Sequence, residues 1–154
     1  MTSSNAPVKP GQPDVPGLQL DVVTAERLVY SGDVDIVVAP GTEGELGILP
    51  HHAALITTLN PGALKARVGT DEFNLAIGGG FLEVRDNRVL VLADSAERAE
   101  EIDIERANAA EDRARGLLAE RRQTSDLQHA EAALRRSQVR LKVARHRRRD
   151  DLPR

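Results

Sequence analysis

Two arginines in the C-terminal third of the chain are spaced to hold an anion. Arg136 and Arg140 lie four positions apart in a segment with helical periodicity, so both side chains are expected on one helical face. Guanidinium groups bind phosphate oxygens through paired hydrogen bonds, and two on one face could clamp a phosphate chain. The surrounding residues 126–149 are strongly basic, which also fits an acidic protein surface, nucleic acid or a solvated face.

Asp103 and Arg106 form a second polar pair, three positions apart at the start of the preceding helical segment. An aspartate at that position can cap the free backbone amides of the helix. The same carboxylate could accept hydrogen bonds from a base or a ribose, so the residues alone leave both roles open.

Other segments lack the residues that their apparent chemistry would need. The glycine-rich stretch 41–47 has no Lys-Ser/Thr ending, and its Glu43 and Glu45 would repel phosphate. His51 and His52 are neighbours on an extended segment and point to opposite faces, and the chain has no cysteine. We therefore expect no metal site and no catalytic residues, and interpret a histidine here as part of a subunit contact.

The elements that must position these residues begin with a β region at residues 18–94. Its polarity alternates and turn signals recur about every ten residues, which is typical of a sandwich or barrel. Asp86-Asn87 predicts a tight hairpin, and Gly78-Gly79-Gly80 predicts a bulge or a close approach of strands. The proline-rich residues 1–17 are expected to be a flexible tail or, alternatively, a docking peptide.

From Ser95 the pattern becomes helical, and residues 95–149 are predicted to form an antiparallel two-helix hairpin before a tail at 150–154. Ser125 followed by Gln128 fits a capping box at the start of the second helix. The predicted seam is rich in alanine, which buries little apolar area, so the hairpin should need a partner. The seam residues are Ala107, Ala110, Ala114 and Leu117, and then Leu127, Ala130, Leu134, Ser137, Leu141 and Ala144.

Composition excludes several classes of function. Of the 154 residues, 29% are charged and only 2% are aromatic, and the net charge is −3. So few aromatic rings argue against a nucleic-acid surface built on base stacking. No apolar run approaches the roughly 20 residues that cross a bilayer, and the N-terminus lacks the apolar core of a signal peptide.

Several motifs of the β region occur together in an order and spacing that are specific. They are EGELGILP at 43–50, HA at 52–53, NPG at 60–62, GGFLEV at 79–84 and VLAD at 91–94. With these motifs, the chain from about Leu18 to Lys142 resembles the epsilon subunits of bacterial F-type ATP synthases. The resemblance implies a ten-stranded β-sandwich followed by two α-helices, and a non-catalytic rotor subunit of the central stalk.

The resemblance also implies partners and a location. Such subunits bind the gamma subunit and the ring of c subunits, and meet alpha and beta subunits when the hairpin extends. They lie on the cytoplasmic face of the cell membrane, peripherally and only through the complex, and no nucleic acid is expected. Glu43 and Glu45 match acidic residues near the ring, and His52 matches a histidine facing gamma. His51 replaces a residue that is often glycine, and Ala54 stands where proline is common.

Regulation is a further implication of the resemblance. In the family the hairpin folds against the sandwich or extends along gamma, where it suppresses ATP hydrolysis. Some members bind ATP in the folded form through the pattern Ile/Leu-Asp-x-x-Arg-Ala and additional arginines. We therefore hypothesise ATP as a regulatory ligand, with no required cofactor. The matching residues are Ile102 and Asp103 for the adenosine end, Arg106 and Ala107 in the pattern, and Arg113, Arg136 and Arg140 for the phosphates.

Three functions stay as alternatives. The first is a stand-alone nucleotide-sensing or adaptor module, which would not associate tightly with gamma. The second is an enzyme on a small β-sandwich, against which the lack of a nucleophile or metal set argues. The third is a nucleic-acid binder through the basic tail, which would bind with a steep salt dependence.

Overall fold

The structure is a computed structural model that describes residues 17–120 and 124–150, without the side chains of 124–126 and 147–150. Residues 1–16 and 151–154 of the expected tails lie outside these ranges. The described strands are β1 (Leu18–Val23), β2 (Leu28–Val34), β3 (Ile36–Gly41), β4 (Gly44–Ile48), β5 (Leu55–Val68), β6 (Asp71–Arg85), β7 (Arg88–Ala93) and β8 (Ala96–Arg98). A 3₁₀ turn at Ala99–Glu101 leads into helices α1 (Ile104–Ala119) and α2 (Thr124–Asp150).

All eight strands of the described ranges belong to one sheet that folds over on itself as a β-sandwich. The strand order is β2-β1-β7-β6-β5-β3-β4, and β8 pairs with a separate stretch of β6. β1 and β7 are parallel, and β8 carries the sheet past residue 94 to Arg98. The core between the two layers consists of Val, Leu, Ile and Ala, among them the fully buried Leu18, Leu20, Ile48, Leu64 and Leu75.

The difference between ten expected and eight described strands arises at a corner in β5 and β6. In β6 the inward side chains are Leu75 and Ile77 before the corner but Leu82 and Val84 after it, so the inward face changes parity. β5 changes parity in the same way around residue 60. The two long strands therefore each serve both layers, and counting them on either side of the corner gives ten.

Three consecutive glycines make the corner possible. Gly79 and Gly80 have φ angles of +106° and +135°, which residues with a side chain rarely adopt. A Cβ on Gly80 would also collide with the carbonyl oxygen of Leu92 on β7. The predicted close approach of strands is therefore confirmed, and it lets the Gly78 N–H donate to the carbonyl oxygen of Ser95 at 2.9 Å, where β7 passes into β8.

Two other turns use left-handed backbone without glycine. The predicted hairpin at Asp86-Asn87 is confirmed, with φ of +48° and +61° in a turn whose twist matches that of the flanking strands. His51 has a φ of +65° at the position that is often glycine in the resembling family. Its N–H donates to Oδ1 of Asn87 at 2.9 Å, which helps to hold a backbone conformation that costs about 1 kcal/mol for a non-glycine residue.

The two helices pack on each other along an alanine-rich seam. The predicted seam is confirmed at its buried members Ala107, Ala114, Ala130, Ser137, Leu141 and Ala144. Leu117 is 43% exposed, so its place in the seam was wrong; Leu118, four residues after Ala114, is half-buried instead. Ser125 lies inside α2, which begins at Thr124, so the capping box proposed at Ser125 is also wrong. Neither described helix has the length and apolar character needed to cross a bilayer.

The hairpin docks on the outer face of the sandwich through a small apolar contact. We call Ala76, Ile102, Val143 and Ala144 the docking cluster, which is buried apart from the sandwich core. Around it lie the partly buried Ala63, Ala99, Ile104 and Val139. Because half of these side chains are alanines, the contact removes only a modest apolar area from water and stabilises docking only modestly.

Asp21 is a buried carboxylate on the outward face of β1, between the core residues Leu20 and Val22. Burial raises its pKa, but hydrogen bonds from Ser31, Arg88 and Gln19 together outweigh that effect and hold the pKa below its usual value. The Ser31 hydroxyl donates at 2.6 Å and Nε of Arg88 donates at 2.8 Å. The ionised form of Asp21 therefore stabilises the fold.

A pH dependence of stability follows from this network. Because the folded pKa is lowered, the contribution of Asp21 is complete above its unfolded pKa, near 3.8, and is lost as the pH falls through the folded value. Asp21→Asn should destabilise the chain by about 1 kcal/mol at pH 7 and lose less stability than the unchanged chain between pH 5 and pH 2. Urea unfolding between pH 5 and pH 2 measures both effects, and Asp33→Asn, at an exposed position, is the control. If the free energy of unfolding falls equally steeply with pH in the two variants, the prediction is contradicted.

Candidate site between the hairpin and the sandwich

A groove of about 220 Å³ lies where the hairpin meets the sandwich. Five of the seven candidate ATP-binding residues line it, namely Ile102, Asp103, Arg106, Ala107 and Arg140. The other two lining residues are Glu97 and Glu101. The groove therefore brings together β8, the 3₁₀ turn and both helices.

The residues at the start of α1 have structural roles already. Asp103 is the N-cap of α1, and its Oδ1 accepts a hydrogen bond from the Arg106 backbone N–H at 3.0 Å. Ile102 is buried in the docking cluster and Ala107 in the helical seam, whereas the Arg106 side chain is exposed. Asp103 therefore caps α1, as one of its two predicted roles requires, and both Asp103 and Arg106 also line the groove.

Arg140 connects α2 to the sandwich. Its Nη2 donates to Oε1 of Glu97 at 2.6 Å, and both side chains are about one-third exposed. Glu97 was missed in the sequence because β8, the three-residue strand that carries it, was not predicted. An anionic ligand in the groove would have to compete with Glu97 for Arg140.

Arg113 and Arg136 do not line the groove. Both are exposed on the surfaces of their helices. Their proposed role in holding phosphates stays a prediction.

The groove carries both signs of charge. Its carboxylates are Glu97, Glu101 and Asp103, and its guanidinium groups are Arg106 and Arg140. The Arg27 guanidinium holds the pKa of Glu101 below its usual value, so this carboxylate stays ionised. The groove therefore offers carboxylates to the hydrogen-bond donors of a ligand and guanidinium groups to its anionic oxygens.

The residues expected at subunit contacts lie away from this groove. Glu43 and Glu45 are exposed where β3 turns into β4, and Glu45 pairs with Nζ of Lys65 at 3.0 Å. His52 is half-buried, with its Nδ1 2.8 Å from the Ala53 carbonyl oxygen. Among the described residues, no group of three or more His, Cys, Asp or Glu side chains could hold a metal ion.

An exposed apolar surface covers part of the outward face of strands β5, β6 and β7. Ile56, Phe81 and Leu92 are 74%, 57% and 51% exposed on neighbouring strands β5, β6 and β7. With Leu90 and the charged Glu83 they line a shallow, mainly apolar depression that we call the outer apolar patch. Contiguous exposed apolar surface of this kind marks protein contacts, and sequence periodicity did not reveal it because its residues alternate with core residues as ordinary strands do.

Family models and sequence relatives agree on the identity of the fold. Residues 17–99 match the beta-sandwich domain of the ATP synthase delta/epsilon chain, and residues 100–145 match its long alpha-helix domain. The chain is 61% identical over 132 residues to the ATP synthase epsilon chain of Dehalococcoides mccartyi, covering 85% of this chain and 94% of the relative. It is 49% identical to that of Desulforamulus reducens, covering 82% and 96%.

Solved structures extend the comparison. A chain of the Euglena gracilis mitochondrial ATP synthase structure, which contains OSCP, F1 and the c-ring, matches with a TM-score of 0.73 and 26% identity, covering 92% of this chain and 91% of that one. A chain from the central stalk and c-ring of the Tetrahymena thermophila mitochondrial enzyme shares the fold, with a TM-score of 0.56 and 17% identity over 82% and 95% of the chains. The chain therefore belongs to the ATP synthase delta/epsilon chain family, whose members are non-catalytic subunits of the enzyme.

Proposed function

We propose that the sandwich of this chain couples rotation by binding the gamma subunit and the c-ring, and that its hairpin inhibits ATP hydrolysis when it leaves the sandwich. ATP bound in the groove would favour the docked hairpin. The observation that carries the regulatory proposal is the modest contact by which the hairpin docks, namely the docking cluster and the Arg140–Glu97 ion pair.

The surfaces of the sandwich support its proposed contacts. The outer apolar patch provides a desolvating surface for gamma, and its exposed Phe81 is the kind of side chain that anchors protein interfaces. Glu43 and Glu45 at the β3–β4 turn provide carboxylates for the c-ring. With these partners the chain would be peripheral, on the cytoplasmic face of the cell membrane.

The hairpin is suited to two positions. A contact of small side chains and one partly exposed ion pair is weak enough to be exchanged for another surface. The exposed cations of α2 would then meet acidic surfaces of alpha and beta subunits. These cations include Arg135, Arg136, Lys142 and Arg145.

ATP can favour the docked hairpin only if it binds that form more tightly. The groove would meet this condition, because its lining comes from elements that would separate if the hairpin left the sandwich. Glu97 belongs to the sheet, whereas Arg106 and Arg140 belong to α1 and α2. Undocking therefore dismantles the groove, so a ligand that uses both sides stabilises docking.

The decisive experiment measures ATP hydrolysis by a purified catalytic core that lacks this subunit. The core is compared alone, with the full chain, and with a chain truncated after Glu101, which keeps β8 paired with β6. We expect both forms to bind and only the full chain to inhibit. If both bind and neither inhibits, the hairpin has no inhibitory role.

A stand-alone nucleotide-binding module is the second candidate, since the groove would serve that function equally well. In the same experiment it would give a different result. Neither form would bind the core, whereas the full chain would still bind ATP in equilibrium dialysis.

A further inference from the structure

The segment between the sandwich and the helices is attached to the sandwich along its length. We call Ala96–Glu101 the anchor segment. Ala96, Glu97 and Arg98 form β8 and pair in register with Ile77, Ala76 and Leu75 of β6. Backbone pairing of this kind ties the first half of the segment to the sheet.

Side chains extend this attachment to the loop and strand at β2. The Arg98 guanidinium donates from Nε and Nη2 to the Val29 carbonyl oxygen at 3.2 and 2.9 Å. The Arg27 guanidinium donates to both carboxylate oxygens of Glu101 at 3.0 and 2.7 Å. Glu101 Oε2 also accepts from the Arg98 backbone N–H at 3.1 Å. Partly exposed ion pairs contribute most to stability when they are bidentate and when a further hydrogen bond holds one partner in place, as the Arg98 N–H holds Glu101 here.

The attachment ends at Glu101. The next two residues are extended, with φ and ψ of −76° and 116° at Ile102 and of −78° and 105° at Asp103. They stand between a 3₁₀ turn and the first turn of α1, and the Ile102 side chain contributes to the docking cluster instead of the sandwich core. Two extended residues between regular elements are the kind of position that absorbs the φ and ψ change of a hinge.

We propose that the hairpin pivots at Ile102-Asp103, and that the Arg27–Glu101 pair keeps the anchor segment on the sandwich whether the hairpin is docked or released. This inference rests on the proposed movement of the hairpin. It adds that β8 stays in the sheet, so that Glu97 remains on the sandwich while Arg140 is carried away.

The absence of cysteine makes the pivot measurable with paired spin labels. One cysteine replaces the exposed Thr58 on the sandwich, and the second replaces Glu100 in the anchor segment, Asp112 in α1 or Glu131 in α2, all of them exposed. Distances are measured by pulsed electron resonance in the full chain, with and without Val143→Asp to release the hairpin. Ala63→Glu, which alters only the sheet side of the contact, is a second release variant in case Val143→Asp disturbs α2 itself.

We expect release to shift the distances from Thr58 to Asp112 and Glu131 and to leave the distance to Glu100 unchanged. A shift at Glu100 as well would place the pivot before the anchor segment and overturn this inference alone. A shift at Glu131 without one at Asp112 would place it between the two helices, with the same consequence. No shift at any position in either release variant would overturn both the pivot and the proposed movement of the hairpin.

The role of Arg27 is tested separately by hydrogen exchange in the full chain. Arg27→Gln removes the bidentate pair, and the amides of the 3₁₀ turn should then exchange several-fold faster. Glu26→Gln, at the exposed neighbouring position, is the matched control. Equal exchange in the Arg27→Gln variant and the unchanged chain would show that Arg27 does not anchor the segment.

Discussion

Val143→Asp should release the hairpin and make the chain a stronger inhibitor of ATP hydrolysis. Val143 is 1% exposed, in the centre of the docking cluster between α2 and the sheet. A carboxylate there would be buried without a partner when the hairpin docks and solvated when it is released. A penalty of about 3 kcal/mol on the docked form alone corresponds to roughly a hundredfold shift toward the released form.

Inhibition of the catalytic core over a concentration series of the chain measures this shift. The matched control is Leu117→Asp, which adds the same charge to a hairpin leucine that is already 43% exposed. The control should inhibit as the unchanged chain does. If both variants inhibit equally, or if Val143→Asp inhibits less while its helices remain folded by circular dichroism, release of the hairpin is not what inhibits.

Arg140→Ala should weaken ATP binding by about 10- to 100-fold, because charge-assisted hydrogen bonds to phosphate contribute about 1.5–3 kcal/mol. Arg140 is the groove residue that α2 contributes, and it joins the two parts that must stay together for ATP to favour docking. Titration calorimetry of the full chain with ATP gives the affinity directly.

Two controls separate phosphate binding from docking. Glu97→Gln removes the same ion pair but keeps the Arg140 guanidinium for phosphate, so it should weaken ATP binding much less than Arg140→Ala does. Arg135→Ala removes an exposed α2 charge outside the groove and should have no effect. A loss in Arg135→Ala equal to that in Arg140→Ala would indicate non-specific attraction to a basic helix. Absence of saturable binding to the unchanged chain would exclude the ATP site.

Those parts of the fold that depend on neighbouring residues in the chain could be predicted from the sequence. The Asp86-Asn87 hairpin and the close approach at Gly78–Gly80 follow from turn chemistry and from the missing side chains. The corner in β5 and β6 could not be predicted, because the change of inward face depends on which strands pair before and after the corner. β8 escaped prediction for a related reason: a three-residue strand has too little periodicity, and its pairing with β6 is long-range.

The lining of the candidate groove was predicted only in part, because one side of it depends on a long-range strand pairing. Asp103, Arg106 and Arg140 were found because helical spacing and a short pattern mark them, and the groove does bring them together. Glu97 reaches the groove through β8, so no local signal could have identified it. Arg113 and Arg136 share the spacing of the predicted set, but both are exposed and neither lines the groove, and spacing cannot reveal the rotation of a packed helix.

The parallel pairing of β1 with β7 has a consequence for synthesis on the ribosome. β1 is the first strand to emerge, yet its second neighbour arrives about seventy residues later, so the sheet cannot close until Arg88–Ala93 is available. Every described strand of the sandwich has emerged once Arg98 has left the exit tunnel, before either helix has emerged from it. The nascent chain can therefore present a closed sandwich before its hairpin emerges, so docking follows closure of the sheet.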